Sequence, residues 1–293
     1  MIGVKTLSDL IEKAKSSRKK RVVVVGAEDK EAVKAVFKAK EIGIVEEIFL
    51  VGNSSSISYS GEAKVIHAHT EREAAETGVK IVSSGLADVV IKGLVKTSTL
   101  LKAVLNKEWG LRGSGLLSHL AGIEVPGVER VIFITDGGMV IKPNIEQKIL
   151  VIKNAVDFLR KLGYETPKVA LICAVETVNN DMPETTEAAV ITKMAQRGEI
   201  KGCLVDGPLG LDNALCHKAA EIKGVKSPVA GQADILVVPD IHSGNFLGKS
   251  AVYFAKGKIA GLIVGANAPI VVVSRADSAE SKLLSIALAI SAG

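Results

Sequence analysis

Short, unbroken runs of β-branched and other apolar residues recur along the whole chain, and each is followed by a stretch with helical spacing. The runs are Arg21–Val25, Ile48–Val51, Ala63–Ile66, Asp88–Lys92, Arg130–Thr135, Val169–Cys173, Cys203–Asp206, Ala233–Val238 and Ile270–Val273. A strand with one wet face alternates apolar and polar residues, whereas a strand buried on both faces reads as a continuous apolar run. The intervening segments carry a 3.6-residue period. The clearest is Ile145, Ile149, Ile152, Val156 and Leu159, opened by Asn144 with Gln147 three positions on, a capping-box arrangement. Strand–helix alternation of this kind dictates an α/β fold with mainly parallel sheets and flanking helices. No internal repeat, low-complexity tract or long linker interrupts it.

Composition narrows the function classes. Hydrophobic residues make up 47% and charged residues 24% of the 293, which excludes a mostly disordered chain. Lys and Arg number 37 against 32 Asp and Glu, a formal charge of +5 scattered along the sequence. That small excess suits an anionic small molecule. Nucleic acid normally meets a basic stripe with aromatics to stack on, and aromatics are only 3% here, so nucleic acid is not expected as a partner. The mean hydropathy of +0.31 raises the question of a membrane. The longest uncharged stretch, Ile259–Ser274, is interrupted by Gly261, Gly265, Asn267 and Pro269. It is too short and too broken for a spanning helix of about 20 apolar residues. Met1 to Lys20 lacks an apolar signal core, and Cys173, Cys203 and Cys216 form no CxxC pair. Reduced thiols and a cytoplasmic location are therefore expected, with no membrane partner.

The helix at Asn144–Arg160 separates a first set of strands from a second. Asp136-Gly137-Gly138 reads as a hinge, because glycine relaxes the backbone where direction must change. A return crossing is expected near the last strand. The resulting picture has two α/β lobes, residues 1–136 with about 277–293, and residues 137–276, with the active site in a cleft between them.

Ligands of α/β proteins bind beyond the C-terminal ends of strands. After the last strand come Ser274, Arg275, Ala276, Asp277, Ser278, Ala279, Glu280 and Ser281. An Arg just beyond a buried strand, followed by a helix start, suits phosphate: the guanidinium offers a fork and the helix offers unpaired N–H groups. Capping explains the acids equally well, with Asp277 and Glu280 as a pair or Ser278 as the cap, but leaves Arg275 unexplained. The strand ending at Lys92 leads into Gly93 and then Lys96, Thr97, Ser98 and Lys102, hydroxyls and lysines that suit an anion at a helix start. The alternative there is Thr97 or Ser98 as an ordinary N-cap. Gly110–Gly115 is a glycine-rich loop carrying Arg112, and neither segment has a P-loop order. Asn245 lies in Pro239–Asn245, where it is either a ligand contact or the cap of the next helix. Glu176 and Asp206 complete the polar strand ends. His67 and His69 lack a carboxylate or Cys companion at ligand spacing and read as structural, so no metal site is expected.

Taken in order, Gly93–Lys102, Gly110–Leu117, Ile134–Gly138 with Pro143-Asn144, Asp206–Leu211, Gln232–Asn245 and Ser274–Lys282 resemble the phosphate acetyltransferase/phosphate butyryltransferase family. The resemblance extends from about Leu7 to Ile290, and Ser274–Ser278 with Glu280–Lys282 is most like the butyryltransferase form. It implies a two-lobed fold similar to that of the isocitrate/isopropylmalate dehydrogenases, with a C-terminal helix returning to the first lobe. It also implies reversible acyl transfer between acyl-CoA and inorganic phosphate, with CoA as a substrate, no tightly bound cofactor, and a homo-oligomer.

On that resemblance Arg275 is the first phosphate contact, and Lys102 or Arg112 the second. Ser274 is a donor to the developing oxyanion. A thiol of pKa near 8.5 makes a base useful at neutral pH. The acetyltransferase branch has an Asp seven positions after the motif Ser; Ser281 stands there in this chain, so Asp277 and Glu280 are the candidate bases. Direct transfer through a ternary complex is expected. Phosphate acetyltransferase is the nearest alternative. A metal- and NAD-dependent decarboxylating dehydrogenase would need converging Asp residues, and Asp206, Asp212, Asp234 and Asp240 are not clustered in sequence. A non-catalytic CoA-binding module is the third reading.

Overall fold

The computed structural model describes residues 4–59, 61–113, 115–273 and 277–292. In chain order its elements begin with α1 (Leu7–Ser16), β1 (Lys20–Val25), α2 (Lys30–Glu41), β2 (Val45–Gly52), β3 (Lys64–His67), α3 (Glu71–Ser83), β4 (Val89–Lys92) and α4 (Thr97–Val104). There follow β5 (Ser118–Glu124), β6 (Ile132–Thr135), α5 (Ile145–Lys161), β7 (Lys168–Ile172), α6 (Pro183–Gln196), β8 (Leu204–Leu209), α7 (Leu211–Leu215) and α8 (His217–Ile222). The chain closes with β9 (Ile235–Val237), α9 (Ile241–Tyr253), β10 (Lys258–Val264), β11 (Ile270–Val271) and α10 (Ala279–Ser291). All nine apolar runs form strands. Asn144 caps α5, with Gln147 completing the capping box as its spacing demands.

The chain divides into two compact units, Thr6–Gly115 with Ile259–Gly293, and Met1–Lys5 with Leu116–Lys258. In the first unit the strands run in the order β3-β2-β1-β4-β11-β10, parallel except for the β10–β11 pair. In the second the order is β5-β6-β9-β7-β8, parallel except for β5 with β6. Each unit is thus a mostly parallel sheet with flanking helices. The division does not fall at the boundaries read from the sequence. The reason lies in β5 and β10, which the apolar-run pattern did not single out. Hydrogen bonding of β5 to β6 draws residues from 116 onward into the second unit, and pairing of β10 with β11 draws those after 258 into the first.

The core of the first unit is the fully buried run Val22–Val25, flanked by Leu50, Val90 and Ile91. Helix α10 packs on α1 and α2, and its residues from Leu284 to Ser291 are buried. A helix so enclosed must be apolar nearly all round, and its sequence is. Its two buried hydroxyls are both satisfied: Ser285 accepts from the Gly261 N–H at 3.0 Å, and Ser291 donates to the Leu10 carbonyl at 2.8 Å. Among the described residues no helix is long and apolar enough to cross a membrane.

Arg21 of β1 clamps Asp88, just before β4, with its Nε at 3.0 Å, its Nη2 at 2.9 Å and its backbone N–H at 2.8 Å. Burial pushes the Asp88 carboxyl up, but the bonds from Arg21 outweigh it and hold the group below the usual carboxylate range. A depressed folded-state pKa stabilises the native state above the unfolded value, near 4, and that contribution fades as pH falls through the folded value. Asp88→Asn should therefore lower the denaturant midpoint at pH 7, with the gap to wild type closing on acidification below about pH 4. A gap independent of pH would contradict this account.

Candidate active site

Two neighbouring parallel strands of the first unit, β4 and β11, send their C-terminal ends in the same direction. Beyond β4 the chain is interlocked with the end of β1: the Gly93 N–H donates to the Val25 carbonyl and the Leu94 N–H to the Gly26 carbonyl at 2.7 Å. The approach is so close that a Cβ on Gly93 would stand 2.2 Å from the Gly26 carbonyl oxygen. Gly93→Ala must push these backbones apart, so a loss of at least about 1–3 kcal/mol is expected in urea unfolding. A change within 0.5 kcal/mol, estimated as ordinary surface noise, would refute the interlock.

This turn delivers the start of α4. Lys96 occupies the N-cap position and makes no side-chain cap bond, with Thr97 and Ser98 as the first helical residues. Neither hydroxyl caps the helix, contrary to the conservative reading of the sequence. The Lys96 backbone N–H instead meets the Glu71 carboxylate at the start of α3, at 3.2 Å. Lys96 and Ser98 are exposed and Thr97 half-buried. An uncapped helix start leaves N–H groups and a positive dipole end facing outward, flanked here by an ammonium and two hydroxyls. Lys102 is not part of that group. It lies in the last turn of α4, about 9 Å along the axis from Lys96 at 1.5 Å per residue. Arg112 is tied to the same far end of α4: Leu111 N–H donates to Val104 carbonyl, and Arg112 bridges to Ala266 in the turn between β10 and β11. Both side chains are exposed.

Beyond β11, Ser274 and Arg275 lie outside the described residues. The chain resumes at Asp277, and Ser278 is the N-cap of α10, its hydroxyl accepting from the Ser281 N–H at 3.2 Å. Asp277 is thus not the cap. Glu280 stands in the first turn of α10, and with Leu283 it lines a groove of about 1050 Å³ against α2 and the stacked rings of Phe37 and Tyr59. Two residues to which the sequence reading gave no role belong to this end of the sheet. Lys92 closes β4 and Lys282 lies in the first helical residues of α10, and they are only 6% and 3% exposed. Buried lysines are rare enough that their positions at strand and helix ends are the signal.

In the second unit the loop after β6 is fixed by Asp136, which is 3% exposed. Its carboxylate accepts three backbone N–H groups: His119 of β5 at 2.7 Å, Gly138 at 2.8 Å and Met139 at 2.7 Å. Gly137 and Gly244 face each other, each so close that a Cβ on either would lie within 2.7 Å of the other's backbone. The glycines therefore serve close packing, and the hinge expected at Asp136-Gly137-Gly138 is a clamp instead. Asp240 caps α9, accepting from the Ser243 N–H at 2.8 Å, which holds its carboxyl below the usual range. Asn245 is one turn into α9, exposed, with its Nδ2 3.5 Å from the Gly137 carbonyl.

The remaining polar strand ends are engaged elsewhere. Lys223 bridges Glu176 at 3.1 Å and Asp212 at 3.0 Å. Asp234, raised by burial, accepts from the Lys168 N–H at 2.8 Å, and the Asp206 carboxylate turns back on the Gly207 N–H at 2.9 Å. The four aspartates thus serve separate structural contacts. His67 and His69 bond one another at 3.2 Å. The thiols of Cys173 and Cys203 are both pushed up to about 11 by burial, which suppresses the nucleophilic thiolate.

Comparison with known proteins gives one answer. Residues 60–290 match the family described as phosphate acetyl/butaryl transferase. The chain is 47% identical over 292 residues to a probable phosphate butyryltransferase of Bacillus subtilis, covering 98% of this chain and 97% of that one. It is 42% identical over 290 residues to a phosphate acetyltransferase of Thermotoga maritima, covering 96% and 98%. The crystal structure of a branched-chain phosphotransacylase from Enterococcus faecalis superposes with a TM-score of 0.86 at 34% identity, covering 93% and 98%. On these matches the chain belongs to the phosphate acetyl/butaryl transferase family and is a phosphate acyltransferase.

Proposed function

We propose that the enzyme moves a butyryl group reversibly between CoA and inorganic phosphate, by direct attack in a ternary complex. What supports this reading is that β4, which leads into the uncapped α4 start with Lys96, Thr97 and Ser98, is paired in parallel with β11, the strand that Ser274 and Arg275 follow in sequence. A phosphate oxygen attacks the thioester carbonyl, the C–O bond forms, and the tetrahedral oxyanion collapses with loss of CoA thiolate, which takes up a proton. Run in reverse, the thiol loses that proton to a carboxylate as it attacks the acyl phosphate. Arg275 holds the phosphate, Ser274 donates to the oxyanion, and either Asp277 or Glu280 carries the proton. Lys102 or Arg112 supplies the second cation, and Asn245 contacts substrate. A two-lobed fold of the isocitrate/isopropylmalate dehydrogenase type, a cytoplasmic home, a homo-oligomeric state and the lack of a tightly bound cofactor belong to the same reading.

The 42% identity to a phosphate acetyltransferase supports acetyl as the second reading. One methylene in an apolar pocket discriminates by only about 1–3 kcal/mol, so the two substrates are compared directly. Release of free CoA from butyryl-CoA and acetyl-CoA, with and without phosphate, should depend on phosphate and run faster with butyryl-CoA. Faster release from acetyl-CoA reassigns the acyl group, and release independent of phosphate removes the transfer itself. Asp277→Asn and Glu280→Gln separate the two bases: replacing the essential one should abolish the fall of kcat/KM on the acid limb in the thiol-consuming direction.

A further inference from the structure

We infer that Lys282 is a phosphate-binding residue of this enzyme, an inference that rests on the phosphate-dependent acyl transfer proposed above. Three lysines are buried among the described residues, Lys92, Lys148 and Lys282. The ammonium of Lys148 meets the carboxylate of Glu187, an ordinary reason for a buried cation. Among the described residues Lys282 has no such counter-charge. Its Nζ donates to a neutral group, the backbone carbonyl of Asp277, at 3.1 Å, and it forms no ion pair with any described carboxylate.

Two independent effects oppose that placement. Withdrawing an ammonium from water without an anion costs several kcal/mol, even after relaxation. A cation in the first turn of a helix also meets the positive end of the dipole, where anions are favoured. At 3% exposure Lys282 suffers both. A residue that breaks two local rules marks a place where the chain serves something other than its own stability. An inorganic phosphate or phosphoryl group answers both effects together, since it pairs with the ammonium and accepts from the first N–H groups of α10. The location agrees: Lys282 sits on the segment that follows β11, beside the strand that Lys92 closes. The Asp277 carbonyl then acts as a rest position for the ammonium.

The test combines steady-state kinetics with thermal unfolding in inorganic phosphate, on wild type, Lys282→Met and Lys282→Gln. The glutamine keeps a donor for the Asp277 carbonyl and removes only the charge. Both variants should raise KM for phosphate on the order of thirtyfold or more, as losing one side of a desolvated charge pair does. KM for butyryl-CoA should stay within about twofold, ordinary scatter at a site not touched. Their Tm without phosphate should equal or exceed that of wild type, while the rise in Tm that phosphate gives to wild type should vanish. A purely structural lysine would give the opposite, a lower Tm with phosphate KM intact, and that result overturns the inference. If Lys282→Met fails to fold, Lys282→Gln decides alone. Unchanged phosphate KM in a wild type that does release CoA in response to phosphate sinks the role of Lys282 and leaves acyl transfer standing. Absence of phosphate-dependent release in wild type sinks both.

Discussion

Asp136→Ala should unfold far more readily than wild type, with the denaturant midpoint falling by a large fraction of its value. The carboxylate accepts three backbone N–H groups in a site only 3% exposed. Alanine leaves those donors unsatisfied, and each buried orphan costs about 1–3 kcal/mol, so a loss of about 3–9 kcal/mol follows. Against a typical total of about 5–15 kcal/mol the variant is near its threshold. The asparagine variant is the informative control. Its carbonyl oxygen can keep Gly138 and Met139, while its NH2 group must face the His119 N–H, so about one third of the loss is expected. Equilibrium urea unfolding of the three proteins checks the ranking, and an alanine variant within 1 kcal/mol, an estimated ordinary mutational effect, would refute the clamp.

Arg275→Ala should reduce kcat/KM for phosphate by about two to three orders of magnitude with little change in thermal stability. Arg275 follows β11 in sequence just ahead of α10, and Ser278 already caps that helix, so capping is not what an arginine would supply there. A guanidinium holds two phosphate oxygens at fixed geometry, and lysine replaces the fork by a point charge. Arg275→Lys is therefore expected to recover part of the binding but less of kcat. Full phosphate dependence in Arg275→Ala would remove this residue from the site. A collapse in Tm would reassign it to the fold.

The fold was legible wherever strands are buried on both faces, because a continuous apolar run survives any arrangement of neighbours. It was not legible for β5 and β10, whose Ser-His-Leu-Ala-Gly-Ile-Glu and Lys-Ile-Ala-Gly-Leu-Ile-Val sequences carry Ala-Gly in the middle. Glycine weakens a strand signal. The turns that make them antiparallel were nonetheless written at Pro126-Gly127 and at Gly265–Pro269. At the site, residue types at strand ends could be found by position. Burial could not, which is why Lys92 and Lys282 passed as ordinary lysines. Asp136 was misread for a related cause: its partner on β5 is 17 residues away, and a tertiary clamp leaves no periodicity. Asn245 and Thr97 were offered as caps because local chemistry permits it, and the chain uses Asp240 for one helix and leaves the other uncapped.

The first unit draws its sheet from both sides of the second, with β10, β11 and α10 supplied only after residue 258. During synthesis the second unit has nearly all its residues in one continuous stretch and can close as soon as they clear the ribosome. The first cannot. Its strand β4 waits with an open edge, and the faces of α1 and α2 on which α10 packs stay uncovered, until that helix arrives. For that interval the nascent chain presents a bare apolar surface, which makes the segment after residue 258 a timing element of biogenesis as well as part of the core.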